Sequence, residues 1–303
     1  MAFFKSIKEG WTLFKDSISF LFKRPVFLVP IFICRIITAS IVLFLRYYDF
    51  PSMRWVLLYI YISIFIITFT ICFANIIMLE FMQQMESGKK ISFLKALKEA
   101  FTFDLIKIIP ISAIWAFIWF IILIIEALAR GEDRKEQKKP DPSFRDAART
   151  LSGMESGPFS WLKLGLEMFK KLLRMTVFLI LPAIAWENKG PFSAFKKSLE
   201  IIKKHPVQFL TSYTITGIAA LFMALPLIPI YILDELHFTF PAIVWTIVII
   251  YVGVIWTLNI YLEQMSVGLL YLWHLNWEKK GSNGDLSSVK KPDLFDNVYE
   301  LKK

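Results

Sequence analysis

Long apolar runs alternate with short polar stretches along most of this chain, and most runs have membrane-spanning length. A helix needs about 20 predominantly apolar residues to cross a bilayer. Four runs clearly meet this length: residues 25–45, 56–82, 106–128 and 206–232. A fifth run, residues 240–273, is long enough to cross at a tilt. A sixth, residues 175–186, crosses only if its helix begins near Trp161 and carries charged residues inward. The pattern therefore predicts an all-α membrane protein with six transmembrane helices.

A shorter amphipathic pattern precedes three of these runs. Apolar residues at three- and four-residue spacing form one helix face, with lysines opposite, in residues 11–21, 94–101 and 192–202. The first and last of these stretches end at a proline, where the preceding residue is driven out of helical geometry. The sequence thus predicts three repeats, each an amphipathic interfacial helix followed by a helical hairpin. Repeats of this kind place a site near a common axis in transporters; duplication of a convenient membrane-folding unit is the alternative.

Basic residues indicate the orientation of the predicted spans. With six spans, both termini lie on one side, where lysines crowd residues 5–24, 89–98, 189–204 and the chain from 279 onward. Such a bias predicts cytoplasmic termini and location in the cytoplasmic membrane. The loop at residues 130–157 argues against this, because its seven basic residues then face outward. If the weak run at residues 175–186, the fourth along the chain, does not cross the membrane, this loop becomes cytoplasmic.

Charge and composition indicate which molecules the protein binds and where its membrane domain ends. Apolar residues make up 56% of the chain, the mean hydropathy is +0.55, and the formal charge is +10. Residues 1–280 are predicted to form one membrane domain with a charged loop insertion at 129–160, and residues 281–303 a polar tail. Because the basic residues flank apolar runs, they favour anionic phospholipid over nucleic acid as a partner. The residues predicted to contact lipid headgroups are Lys15, Lys23, Arg24, Lys98, Lys196 and Lys204.

One stretch of the chain carries a family resemblance. Residues 177–187 (VFLILPAIAWE), continuing through residues 190–198 (GPFSAFKKS), resemble the signature of bacterial and archaeal multi-span membrane proteins catalogued as a domain of unknown function. The resemblance extends over residues 6–277, although only this stretch is distinctive, and it does not cover the charged loop. It implies a six-helix α-bundle in the cytoplasmic membrane and supplies no catalytic residues.

Arg35 lies in the middle of the first apolar run. Exposing an arginine to lipid at that depth costs about 2.5–3.5 kcal/mol on insertion scales, so its side chain is expected to face protein or water. Three carboxylates also lie within apolar runs, those of Glu80, Glu126 and Glu263. Glu263 is the deepest and is the predicted partner. The pair is either a gate or ion contact, or a structural lock between helices.

A charged stripe runs along residues 161–174, formed by Lys163, Glu167, Lys170 and Arg174. Their three- and four-residue spacing places them on one helix face. If this helix crosses the membrane, the stripe lines a polar cavity. If the helix lies flat on the membrane, the stripe is its solvated face.

Motifs for catalysis or cofactor binding are not found. The histidines 205, 237 and 274 fall at predicted ends of spans without metal-ligand spacing, so neither a metal nor a cofactor is predicted.

The first hypothesis is a non-enzymatic scaffold that binds lipid, a membrane protein complex or a second copy of itself. The alternative is a channel or transporter, with Arg35, Glu263 and the charged stripe facing an intramembrane polar pathway.

Overall fold

A computed structural model describes residues 2–48, 52–129, 143–152 and 161–279. Within these residues every regular element is helical, and no strand occurs. In chain order the helices are α1 (Ala2–Lys23), α2 (Leu28–Tyr47), α3 (Met53–Glu86), α4 (Phe93–Glu99), α5 (Leu105–Ala129), α6 (Phe144–Ser152), α7 (Trp161–Ala185), α8 (Pro191–Lys204), α9 (Pro206–Ala224), α10 (Leu227–Glu235) and α11 (Ala242–Lys279). A 3₁₀ turn at Pro25–Phe27 joins α1 to α2, and a π-helical turn at Ala100–Asp104 joins α4 to α5.

Five helices of the described chain are long and apolar enough to cross a membrane. They comprise Pro25–Tyr47, Trp55–Met85, Leu105–Glu126, Pro206–Ala224 and Ala242–Lys279. These segments coincide with the five long apolar runs of the sequence, which supports a helical membrane protein. Helix α7 is not among them, because its first half carries charged residues.

Two parts of the fold differ from the sequence prediction. The run at residues 206–232 is not one helix, because α9 ends at Ala224 and α10 begins at Leu227 after a turn. Pro226 lies in that turn; it has no amide hydrogen, and its ring would clash with the carbonyl of Phe222 one turn earlier. The charged loop also contains a helix, α6, which the sequence analysis did not predict.

The C-terminal half of α11 forms the centre of the bundle. Every side chain from position 260 to position 274 is buried. Helices α1, α7 and α9 pack around this half. Gly268 lies against α3, where an added Cβ would lie 3.6 Å from side-chain atoms of both Leu79 and Met82, at ordinary van der Waals distance.

The N-terminal half of α11 has a different environment. Ile243, Ile247 and Ile250 are about three-fifths exposed, at 63%, 59% and 62%. A second, smaller core, with Tyr231 of α10 and Trp245 of α11 at its centre, joins this half to α6. The N-terminal half of α11 is therefore exposed and apolar, and its C-terminal half is closely packed. This is expected of a span in which only the N-terminal half contacts lipid.

The amphipathic helices α1, α4 and α8 lie at one end of the bundle, here termed the amphipathic end. The Ser92 amide before α4 donates to Gln84 Oε1 in the last turns of α3, at 2.7 Å. Lys197 of α8 pairs with Glu278 near the end of α11, at 2.5 Å. In α1, Gly10 permits close approach to α9, because a Cβ there would lie 2.6 Å from Thr211 Cβ.

Helix α6 lies at the opposite end. Asp146 of α6 pairs with Arg46 in the last turn of α2, at 3.3 Å, and accepts a hydrogen bond from Tyr47 at 3.2 Å. The described part of the charged loop is therefore separated from the amphipathic helices by the length of the bundle. This arrangement agrees with an odd number of crossings between α6 and each amphipathic helix.

Candidate functional site

Helix α7 runs beside α5 in the antiparallel direction along most of its length. At one end, Lys107 of α5 contacts Asn188, three residues after the end of α7. At the other end, Glu126 of α5 pairs with Lys170 of α7 at 2.6 Å. These contacts are separated by 19 residues in α5, which corresponds to about 28 Å of helix. Helix α7 from Lys170 onward therefore lies along most of an apolar span, and its charged first half lies near one end of that span.

The charged side chains of α7 bind three different helices. Lys170 reaches Glu126 of α5 and also pairs with Glu167 of its own helix at 2.9 Å. Lys171 donates to the Tyr213 carbonyl of α9 at 2.7 Å, and its ammonium lies 4.8 Å from the centre of the Tyr213 ring. Of the stripe predicted from the sequence, Lys170 thus faces another helix, and Glu167 is exposed. The Lys163 side chain lies outside the described residues.

Arg174 makes the third of these connections, to Glu263 of α11. Its Nε donates to Glu263 Oε2 at 2.6 Å and its Nη2 donates to Oε1 at 2.8 Å. Asn259 Nδ2 donates to Oε1 at 3.2 Å, and Lys171 Nζ lies 3.8 Å from the same oxygen. Glu263 is fully buried. A two-point guanidinium–carboxylate contact is the strongest form of such a pair, and its fixed geometry holds α7 in register with α11.

A cleft of about 500 Å³ lies along these charges, between α5, α7 and α9. Its floor includes Lys170, Lys171 and Arg174, and its mouth includes exposed apolar residues of α7 and α9, namely Met168, Ile218 and Leu221. We call this space the α7 cleft. It combines charged groups below with an apolar rim that faces outward.

The charges of the α7 cleft are balanced. Its three cationic side chains, Lys170, Lys171 and Arg174, are matched by three carboxylates that line the cleft or bind its lysines and arginine, those of Glu126, Glu167 and Glu263. Glu167 is the most accessible of the three, with 57% of its side chain exposed. The cleft therefore offers groups of both signs without a net charge.

The predicted pair between Arg35 and Glu263 is wrong. The Arg35 guanidinium lies over the ring of Trp256, 5.2 Å from its centre, while Arg174 holds Glu263. The reason is helix register: α2 meets α11 at Trp256, seven residues before Glu263, which corresponds to about 10 Å along the helix. Arg35 is buried, as expected, but against an aromatic face.

The other predicted residues have separate locations. Glu80 is fully buried in α3, and Glu126 binds Lys170. The six residues predicted to contact headgroups are all exposed, and all lie on α1, α4, α8 or the link after α1. Lys204 also pairs with Glu200 at 2.5 Å.

A second polar cluster, which the sequence analysis missed, lies at the amphipathic end. The histidines were predicted to lie at the ends of spans without metal-ligand spacing, and in the structure His205 Nε2 lies 3.0 Å from His274 Nδ1. Glu278, one turn after His274, places Oε1 3.2 Å from His274 Nε2. The four-residue spacing of His274 and Glu278 was the available signal. Burial, with the nearby His274 and Lys204, lowers the pKa of His205 to about 4.

No family model matches this chain, and neither a curated protein nor a solved structure matches it. The resemblance of residues 177–198 to a family of unknown function therefore stays a prediction.

Proposed function

We propose that this protein is a non-enzymatic, six-span membrane protein that binds the headgroup of a phospholipid in the α7 cleft. The observation that carries the proposal is the structure of that cleft: balanced charges lie beneath an apolar rim formed by Met168, Ile218 and Leu221. A phospholipid has the complementary form, with a charged headgroup and apolar chains.

The length of α7 supports its role as the sixth span. The contacts that α7 and the link after it make with α5 extend over about 28 Å of α5, close to the roughly 30 Å of bilayer hydrocarbon. Its charges do not prevent crossing, because Lys170, Lys171 and Arg174 are bound by neighbouring helices. Charged residues within membrane helices typically face the bundle interior and pair in this way.

The order of the helices agrees with a threefold repeat. Each proposed unit begins with an amphipathic helix and continues with two long helices: α1 with α2 and α3, α4 with α5 and α7, and α8 with α9 and α11. In this arrangement the exposed lysines of α1, α4 and α8 contact anionic phospholipid at the cytoplasmic face. Both termini are then cytoplasmic, in accord with the distribution of positive charge.

The charge balance of the α7 cleft favours a headgroup that carries both signs. Lys170 and Lys171 are placed to bind a phosphate, and the exposed Glu167 carboxylate is placed to bind an ammonium. A purely anionic headgroup would compete with Glu126 and Glu263 for the lysines and the arginine of the cleft. It would bring no positive group of its own to pair with the carboxylates. We therefore propose an amine-bearing phospholipid as the ligand of the cleft.

The test uses the full chain in nanodiscs of equal amounts of phosphatidylethanolamine and phosphatidylglycerol. After extraction, native mass spectrometry should detect one retained phosphatidylethanolamine. Glu167→Gln should reduce its preference over phosphatidylglycerol roughly tenfold, because one charge-assisted hydrogen bond of about 1.5 kcal/mol is lost. Glu235→Gln, at an exposed carboxylate of α10, is the matched control and should change nothing. Equal retention of the two lipids by the wild-type protein would refute the proposal.

A channel or transporter is the second candidate. It is favoured by the continuity of polar groups from Glu167 at the cleft mouth to Asn259 and Glu263 in α11. In that case the purified protein would retain no phospholipid, and proteoliposomes would pass a charged solute only when Lys171 and Glu263 are intact.

A further inference from the structure

Three potential metal ligands converge at the amphipathic end, about 16 Å along α11 from Glu263. His274 and Glu278 lie one turn apart on α11, and Glu200 approaches from α8. One nitrogen or oxygen atom from each of these side chains lies within 4.8 Å of the other two. Ligand atoms bound to one zinc ion lie about 2.0–2.2 Å from it, so these side chains need to close by about 1 Å.

The orientation of His274 indicates a ligand between these residues. Its side chain is fully buried, and among the described residues its Nε2 has no hydrogen-bond partner. The closest carboxylate oxygen, Glu278 Oε1, lies 3.2 Å away but outside hydrogen-bond geometry. A buried imidazole nitrogen that faces two carboxylates without bonding to either is placed as a metal ligand would be.

His205 holds His274 in this orientation. The His205 Nε2 lies 3.0 Å from His274 Nδ1, and in the tautomer in which His274 Nδ1–H donates to His205, the His274 Nε2 keeps its lone pair for a metal ion. Metal-bound histidines usually have their second nitrogen bound by another group in this manner. Trp277 packs against both imidazole rings, at centroid distances of 5.6 Å, and restricts their rotation.

We propose that Glu200, His274 and Glu278 form a binding site for a divalent transition metal ion, most suitably Zn²⁺. One imidazole and two carboxylates provide three protein ligands and leave a fourth position for water. This inference is independent of lipid binding in the α7 cleft, because no residue is shared between the two sites.

Two lysines act as counterions at the same carboxylates. Lys197 donates to both oxygens of Glu278, at 2.5 and 2.6 Å, and Lys204 donates to Glu200 at 2.5 Å. The Lys204 ammonium also lies 5.0 Å from the centre of the Trp277 ring. Because an ammonium and a metal ion compete for the same oxygens, metal binding releases both lysines. Both belong to α8, so their ammonium groups then become available to the membrane surface.

The experiment measures binding of Zn²⁺ to the full chain in detergent, after removal of any polyhistidine tag. Isothermal titration and elemental analysis should give one ion per chain. Glu200→Gln and Glu278→Gln should each weaken binding more than the roughly 10–100-fold expected for a supporting residue, and His205→Phe should fall within that range. Lys197→Met should strengthen binding, because it removes a competing ammonium. Glu235→Gln is the matched control and should bind as the wild type does.

Two further measurements separate loss of a metal ligand from loss of folding. Thermal unfolding of each variant without metal identifies the variants that do not fold. If Glu278→Gln is unstable, the test rests on Glu200→Gln, because 42% of the Glu200 side chain is exposed. Co²⁺ in place of Zn²⁺ should show the visible absorption of a four-coordinate ion. The proposal is overturned if the wild type binds no stoichiometric metal, or if Glu200→Gln binds Zn²⁺ as tightly as the wild type.

Discussion

Two buried carboxylates, Glu263 and Asp234, fasten two different helices to the bundle by the same means. Arg174 of α7 binds Glu263 through two hydrogen bonds, of 2.6 and 2.8 Å. Arg145 and Arg149 of α6 bind Asp234, at 2.7 and 2.5 Å. In each case cations on one helix meet a carboxylate on another element that is at most 3% exposed.

The surroundings of the two carboxylates differ. Glu263 belongs to the buried half of α11, and the Arg174 side chain is only 19% exposed. Asp234 lies at the end of α10, and of its two partners the Arg149 side chain is 20% exposed and the Arg145 side chain 52%. Charges interact more strongly where water is excluded, and an unpaired charge is also harder to tolerate there. The pair of Glu263 with Arg174 is therefore expected to matter more for folding than the pairs of Asp234 with the arginines of α6.

The largest effect is expected from Glu263→Leu. It leaves Arg174 buried without its carboxylate, which costs about 3–5 kcal/mol of folding free energy when one partner of a buried pair is removed. Unfolding by titration with denaturing detergent would measure the loss. The double variant Arg174→Met with Glu263→Leu removes both charges and should recover most of the stability. Equal stability of the single and double variants would show that the pair does not hold α7.

A smaller loss is expected from Asp234→Asn. The variant retains the side-chain volume but removes the charge, and water can reach Arg145, so the cost should be about 1–3 kcal/mol. The same unfolding assay applies, with Glu235→Gln as the control for an adjacent, exposed carboxylate. If Asp234→Asn were as damaging as Glu263→Leu, solvent exposure would not explain the difference between the two sites.

The smallest effect is expected from Arg35→Leu. Its contact with Trp256 is worth about 0.5–2 kcal/mol, and loss of a charge from an apolar run offsets part of that cost. Because Arg35 does not bind Glu263, the double variant with Glu263→Leu should equal the sum of the single changes within about 0.5 kcal/mol. A double variant clearly milder than that sum would restore the Arg35–Glu263 pair.

Sequence reasoning succeeded where the signal is local. Five long apolar runs correspond to five helices of spanning length, and the amphipathic stretches correspond to α1, α4 and α8. The charged stripe of residues 161–174 was also visible, because its spacing depends only on helical geometry. The contacts of Lys170, Lys171 and Arg174 with α5, α9 and α11 were not predictable from that spacing.

Pairing between distant residues was not predictable in the same way. Glu263 was expected to meet Arg35 from depth alone, but an offset of two turns between Trp256 and Glu263 is enough to change its partner. His205 and His274 are separated by 69 positions in the chain, and only the packing of α9 beside α11 brings them together.

The chain by itself determined most of its helices and which of them are apolar enough for a membrane, because both properties depend on residues within a few turns. The tertiary structure alone decided which charges meet, because the contact of two side chains depends on the register and rotation of whole helices. The α7 cleft and the histidine–carboxylate cluster depend on this tertiary packing, because each is formed by helices that are distant in sequence.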